Sequence, residues 1–444
     1  MLQSSSTDRA LRHPELAMLA VPKLAGPKLA FPKFAVPKLA VPKLTLAIPL
    51  CALLASCYDD YGGACCVNAN VTPVEVSTGL VSADFNGDGF PDVVVSSSVH
   101  PEATASSANL KAYLSTAAGA FAAPTLTAAG DDPLYLATAD INGDGLKDLV
   151  SASYDDGALR VFFNDKASPG TFNAPLVLAS PGASQVAIAD VNGDGLPDLV
   201  SADFNVSLFV QTSPGTFAAP LALYAGGANW VAVGDLNGDG APDIALTDGV
   251  GVKVLMHTGA ASATTYAAPA SVFTQTVNFD VAGANLIAIA DVNGDGLNDL
   301  VITDPGPTGG STPTVNVLLQ DAAHHGSFLA PVSYPIIPDS PQSILVTDLQ
   351  GSGKLDIVIG GRETVIVLLH DPATPGHFLA ASSYTAQDAN EIAVADVNGD
   401  GKPDIVVSTR VSHPVQAGIV TNGPGVLLQS ATAPGTFGTL QDLP

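Results

Sequence analysis

The chain has 444 residues, with 42 acidic against 16 basic side chains and a formal net charge of −26. Such a surface repels phosphate backbones and anionic lipid, which argues against nucleic-acid binding and electrostatic adsorption to a membrane. All four cysteines lie before residue 67, so packing or metal, not disulfides, must hold the rest together.

Residues 1–57 read as a basic low-complexity leader ending in a signal segment. Seven basic residues sit here, Arg9, Arg12, Lys23, Lys28, Lys33, Lys38 and Lys43, against Asp8 and Glu15. From residue 21 to 45 a unit like Val21-Pro22-Lys23-Leu24-Ala25 repeats, and proline every fifth residue forbids a regular helix. The apolar stretch Leu44 to Leu54 follows. It is shorter than the about 20 residues a spanning helix needs, and it fits the apolar region of an export signal. Its end, Leu54-Ala55-Ser56-Cys57, resembles a bacterial lipobox. That resemblance implies cleavage before Cys57, a lipid on its sulfur, and anchorage in a bacterial cell envelope or at the cell surface. The basic stretch is long for a signal, and a translation start at Met18 would shorten it only in part. Residues 58–73 form a tether. Its adjacent Cys65 and Cys66 are poorly placed to bond each other; free, vicinally oxidised and intermolecular states stay open.

From residue 74 to 444 one motif dominates, Asp-x-Asn-Gly-Asp-Gly-x-x-Asp. Six copies are intact and one is degraded, with starts 45–57 residues apart. Positions 1, 3, 5 and 9 supply oxygen. In the first two copies these are Asp84, Asn86, Asp88, Asp92 and Asp140, Asn142, Asp144, Asp148. The next two carry Asp190, Asn192, Asp194, Asp198 and Asp235, Asn237, Asp239, Asp243. Two more carry Asp291, Asn293, Asp295, Asp299 and Asp396, Asn398, Asp400, Asp404. The degraded copy has Asp348, Gln350, Ser352 and Asp356 at those positions, and is expected to be weak or empty. Oxygen donors at alternate positions, a free carbonyl at position 7 and a turn-forming glycine at position 6 are what a Ca²⁺ loop requires. An EF-hand needs Glu at position 12, but the intact copies have Val95, Ser151, Ser201, Leu246, Ile302 and Val407 there. The motif runs into apolar β-prone segments such as Val93-Val94-Val95, so it precedes a strand.

Each motif sits in a longer repeat. An apolar stretch such as Val186 to Ala189 precedes it, another such as Leu199 to Ala202 follows, and a third alternates, as in Val252 to Met256. Then comes a Gly-x-Phe-x-x-Pro turn: Gly119 to Pro124, Gly170 to Pro175, Gly215 to Pro220 and Gly326 to Pro331. Looser versions are Tyr266 to Pro269, Gly376 to Phe378 and Gly435 to Phe437. A fourth short strand completes the unit. Four strands per repeat and seven repeats predict an all-β, seven-bladed propeller. The turn aromatic is expected to pack between blades. Either Val74-Glu75-Val76 or the tail Leu440 to Leu443 can complete the ring.

With these motifs the chain resembles the FG-GAP/VCBS repeat family, whose best-known fold is the integrin α-chain head. Phe172-Asn173-Ala174-Pro175 is similar to that family's turn. The resemblance implies Ca²⁺ in the Asp-rich loops. Integrin leg domains and the von Willebrand-type insertion are missing, so integrin function does not carry over.

Past the leader the chain holds 40 acids against 9 bases, and 18 of those acids lie in the intact loops. The acidity is therefore partly a metal requirement. Alternating strand direction places the motif loops and Gly-x-Phe turns on one face. The other face carries connections of variable length, as ligand-binding loops often are. They include Asp131-Asp132, Tyr154-Asp155-Asp156, Asn229-Trp230, Asp304 to Thr314 and Arg410 to Gly425. The leading expectation is a lipid-anchored surface module that binds carbohydrate or protein on this face. Alternatives are a calcium-dependent polysaccharide-acting enzyme and a structural assembly subunit of the envelope. The sequence favours binding over catalysis: His-Glu-x-x-His, Gly-x-Ser-x-Gly and P-loop motifs are missing, and His324-His325 reads as a solvated turn.

Overall fold

The computed structural model describes residues 74–100, 108–117, 119–257, 273–279, 283–306, 312–336, 340–386, 389–409 and 424–443. The leader and tether, with Cys57, Cys65 and Cys66, lie outside these residues. So do Tyr266 to Pro269 and most of the segment Arg410 to Gly425.

Seven four-stranded antiparallel sheets follow one another along the chain, with no helix among the described residues. We number them blades 1 to 7. Blade 1 comprises Val74–Ala83, Asp92–His100, Asn109–Tyr113 and Thr125–Ala128. The inner strands of blades 2 to 7 are Pro133–Ala139, Gln185–Ala189, Trp230–Gly234, Ile287–Ala290, Pro341–Thr347 and Ala389–Ala395. Each inner strand touches those of the neighbouring blades, and the first touches the last. The seven sheets therefore form a closed ring of inner strands.

Burial grades outward. Second strands such as Asp148–Ser153 and Asp356–Gly361 are buried at every residue, because blades cover both their faces. Outer strands such as Leu176–Ala179 alternate partly buried and exposed residues. Seven apolar clusters fill the gaps, each drawn from two adjacent blades. One of them joins Leu80, Val93 and Val95 of blade 1 to Val397, Val406 and Val426 of blade 7.

That cluster answers the question of closure. Gln441–Asp442 is the outer strand of blade 7, paired with Gly425–Leu427, while Val74 opens the inner strand of blade 1. Both blades are built from contiguous chain, and the ring closes by side-by-side packing. Ser408 Oγ donates to Thr78 O at 3.1 Å and Gly119 N to Val397 O at 3.1 Å across the seam.

Candidate functional site

In every blade the residue before the motif pairs with position 9. The pairs include Ala83 with Asp92, Ala189 with Asp198, Thr347 with Asp356 and Ala395 with Asp404. Motif positions 1 to 8 are thus the loop between inner and second strands, and position 9 opens the second strand. The glycines at positions 4 and 6 have left-handed φ, 77° and 87° for Gly87 and Gly89, and a Cβ on those two would meet nothing within 4 Å, although at position 4 of two other loops, Gly238 and Gly294, it would crowd His325 and Lys354. Conformation, not space, demands glycine.

The acceptors fold the loop onto themselves. Asp84 Oδ1 accepts the N–H of Gly87 (2.7 Å) and Asp88 (3.1 Å), and its Oδ2 that of Gly89 (2.8 Å). Asn86 Oδ1 accepts Asp88 N (2.9 Å), and Asp88 Oδ1 accepts Phe90 N (2.9 Å). The same pattern returns at Asp140, Asn142 and Asp144, at Asp190, Asn192 and Asp194, and at Asp396, Asn398 and Asp400. The loop of Asp291, Asn293, Asp295 repeats it in full, and that of Asp235, Asn237, Asp239 with Asn237 N in place of Asp239 N on Asp235 Oδ1. Asn293 Nδ2 reaches Asp295 Oδ2 at 2.9 Å, so the side chains of positions 3 and 5 converge.

Position 9 behaves differently. Asp92, Asp148, Asp198, Asp243, Asp299, Asp356 and Asp404 are completely buried. One oxygen accepts the N–H of position 2; the other accepts that of a residue two places past the third strand, or in blade 4 the strand's last residue. For Asp92 these donors are Phe85 (2.8 Å) and Ser115 (2.7 Å). Position 9 thereby bolts the motif loop to the Gly-x-Phe turn, so both lie on one face. Burial pushes Asp198 up to about 7 and Asp92, Asp243, Asp299 and Asp404 to about 6; backbone N–H bonds oppose this, and the loop's other carboxylates add to it. Burial likewise raises Asp148.

Do these residues suit a hard cation? Among the described residues no three Asp, Glu, His or Cys side chains close into a metal shell. The donor set nevertheless suits Ca²⁺: three carboxylates and an amide oxygen per loop, with positions 3 and 5 converging and the third carboxylate, at position 9, buried. Among the described residues no Lys or Arg forms an ion pair with the carboxylates of the loops at Asp84, Asp140, Asp235, Asp291 or Asp396. In those loops the negative charge is met by backbone N–H groups and by no side-chain cation, which leaves room for a bound cation to stabilise it.

The degraded loop is internally satisfied. Ser352 Oγ accepts Lys354 N at 3.2 Å, taking over the turn role of the missing carboxylate. Gln350 Nε2 donates to Asp356 Oδ1 (3.2 Å), and His370 Nδ1 lies 2.9 Å from the same oxygen. Burial works against ionisation of Asp348, yet the N–H groups of Gly353, Ser352 and Gln350 hold its carboxyl below the usual range.

Two features escape the motif as read from sequence. Position 2 is always apolar and buried: Phe85, Ile141, Val191, Leu236, Val292, Leu349 and Val397. The residue two places past the third strand often carries an amide that ties blades together. Asn164 Nδ2 donates to Phe85 O and Gln429 Nε2 to Leu349 O, both at 2.8 Å. The turn aromatics do pack between blades, as Phe172 against Phe85 (5.7 Å) and Phe437 against Tyr384 (5.4 Å) show.

The opposite face is of another character. Tyr154 and Phe204, from second-to-third connections of blades 2 and 3, meet edge to face at 6.0 Å and are 45% and 61% exposed. Trp230 meets Tyr135 edge to face at 5.3 Å near the ring axis. Asp156 is engaged by Arg160 and by Asp131 N, so Asp155-Asp156 is not a free acid–base pair. On the motif face, the His324 ring bonds Asp321 (2.8 Å) in an exposed turn.

A family model described as an FG-GAP-like repeat matches residues 84–151, 140–201, 190–246, 291–359 and 348–407, each span running from one motif into the next. No curated protein matches. Among solved structures, BBS1N in complex with ARL6DN is 12% identical, with a TM-score of 0.48 over 76% of this chain and 90% of that one. The V. cholerae biofilm matrix protein Bap1 is 12% identical, with a TM-score of 0.38 over 77% and 85%.

Proposed function

The chain belongs to the FG-GAP-like repeat family, and from that premise we propose that it is an exported, calcium-clamped propeller that binds a carbohydrate or protein ligand on the face opposite its motif loops. The observation that carries this reading is the contrast between faces. The motif side is bonded loop to turn and blade to blade, and its exposed large apolar side chains, Phe90, Leu329 and Leu379, include a single ring, whereas the other side pairs two exposed rings, Tyr154 and Phe204, edge to face.

Calcium would be held by the side chains at positions 1, 3, 5 and 9 and the carbonyl of position 7, in the first loop Asp84, Asn86, Asp88, Asp92 and Phe90. When bound, it supplies the positive charge that three carboxylates lack. Three carboxylates per loop suit the weak affinities of extracellular modules, about 10⁻⁴–10⁻³ M. The propeller would hang from the envelope by a lipid on Cys57. Membrane partition unchanged in Cys57→Ser, or no palmitate label in the protein, removes the anchor from this reading.

The ligand reading is tested by screening the full chain on glycan and protein arrays in calcium. Binding is expected, and Phe204→Ala should weaken it with no change in melting temperature. An array without hits, or a hit indifferent to Phe204 and Tyr154 but lost on a loop-face substitution, overturns it.

A further inference from the structure

Four inner strands carry a β-bulge, three at their first residues and one, in blade 1, after four paired residues. Pairing slips between Ser77 and Leu80, Pro133 and Tyr135, Pro341 and Ser343, and Ala389 and Ile392. The side chains left out of the ladder are Thr78, Leu134, Gln342, Asn390 and Glu391. All five line one cavity of about 200 Å³, with Tyr135 and Trp230 beside them. Bulges re-aim side chains, and they gather beside functional sites. Inner strands start on the face opposite the motif loops, so the cavity opens on that face, at the ring axis.

Glu391 is the unusual member. It is 8% exposed. Its main chain is well held: its N–H donates to Ser408 Oγ at 2.9 Å, and that hydroxyl reaches Thr78 O of blade 1. Among the described residues, no hydrogen bond or ion pair reaches its carboxyl. Buried carboxylates are normally paired. Burial holds this one well above the usual carboxylate range, and Tyr135 is raised by burial and then by the charge of Glu391. The carboxyl faces a space with two aromatic rings and no cation.

We propose that this axial cavity binds a small organic cation, an alkylammonium group seated on Glu391 and against the rings of Tyr135 and Trp230. An anionic oxygen supplies the ion pair, and the faces of Trp and Tyr attract cations. The volume is below the about 300 Å³ at which drug-sized pockets begin, so the occupant is a free small amine or one lysine side chain of a partner. The proposal rests on the opposite face being the ligand face, and is independent of calcium.

Trp230 is the only tryptophan in the chain, so its emission reports on the cavity directly. Full-length protein in calcium is titrated with n-butylammonium chloride, with sodium chloride at matched ionic strength and n-butanol as the neutral twin. A saturable change is expected with butylammonium, at least about tenfold weaker in Glu391→Gln, and no change with butanol. A lysine peptide that competes for the signal assigns the cation to a partner; competition by free amines alone assigns it to a small molecule. No saturable change, an equal response in Glu391→Gln, or equal binding of butanol overturns the proposal. Glu391→Gln keeps the shape and puts a neutral group where burial already disfavours the carboxylate, so its melting temperature should not fall. Should it fail to fold, Trp230→Leu followed by calorimetry replaces it, with weaker butylammonium binding expected and unchanged binding overturning the proposal. An array ligand that binds Glu391→Gln as tightly as the parent leaves the ligand-face reading standing and removes this one.

Discussion

The loop at Asp348 and the six intact loops solve one geometric problem with opposite chemistry. Both turn the chain through two left-handed glycines, bury an apolar residue at position 2 and bolt position 9 to the next turn. The intact loops do so with three carboxylates that repel one another. The degraded loop has exchanged one carboxylate for Ser352 and brought Gln350 and His370 to Asp356. Comparing them separates what both loop types share, which is position 2, position 9 and the glycines, from what a bound cation would ask for in addition, the carboxylate at position 5.

The largest expected effect breaks this comparison if it fails. Chelation should lower the melting temperature of the full chain, since one site at a hundredfold excess of ion over Kd contributes about 2.7 kcal/mol and six loops share the loss. A melting temperature indifferent to chelator would mean that the carboxylates are only turn formers. Next comes packing, which both loop types share. Leu236→Ala and Leu349→Ala each remove a fully buried side chain, and each should cost about 2–5 kcal/mol by denaturant titration. Equal losses with and without calcium would place position 2 in the part common to all blades.

Acidity should act with opposite sign at position 9 of the intact loops and at position 1 of the degraded one. Asp198, at about 7, and Asp92, Asp243, Asp299 and Asp404, at about 6, lie above the ordinary value of 3.8. A raised carboxyl contributes stability that is fully present below the unfolded pKa and lost as pH rises through the folded one. In chelator these groups should therefore favour folding more at pH 5 than at pH 7.5. With calcium bound the trend should reverse, because protons then compete with the ion. Asp348 is lowered, so its contribution is present at neutral pH and lost on acidification. Melting curves of chelated protein across this window test the sign, and Asp198→Asn should flatten the slope.

Much of this was legible because repetition amplifies weak signals. One Asp-x-Asn-Gly-Asp-Gly turn says little, but seven in register predict the blades, the ring and the face on which the loops lie. Position 2 stayed hidden as a variable letter because Phe, Ile, Val and Leu share only their hydrophobicity. The partner of position 9 stayed hidden for a deeper reason. Its main-chain N–H makes the bond, so Ser115, Asn164, His257 and Gln429 serve equally. Glu391 was unreadable because Asn390-Glu391 reads as a polar connection. Only the bulge between Ala389 and Ile392 turns it towards the axis.

The smallest expected effect sharpens the comparison most. If the carboxylate at position 5 is what separates a metal loop from a self-satisfied one, then Gln350→Asn with Ser352→Asp should create a seventh site. Metal analysis of the parent should give six calcium ions per chain, and the double variant seven. The substitutions remove the Gln350 donor from Asp356 and add charge beside it, so the chelated variant should melt slightly below the chelated parent. Calcium should then restore the difference. Adding His370→Ala would strip the last side-chain donor from Asp356 and should deepen the apo defect while leaving the stoichiometry at seven. Stoichiometry fixed at six in both variants would instead place the determinant at position 7 of the same loop, in the Lys354 ammonium that approaches Gly294 of the neighbouring motif.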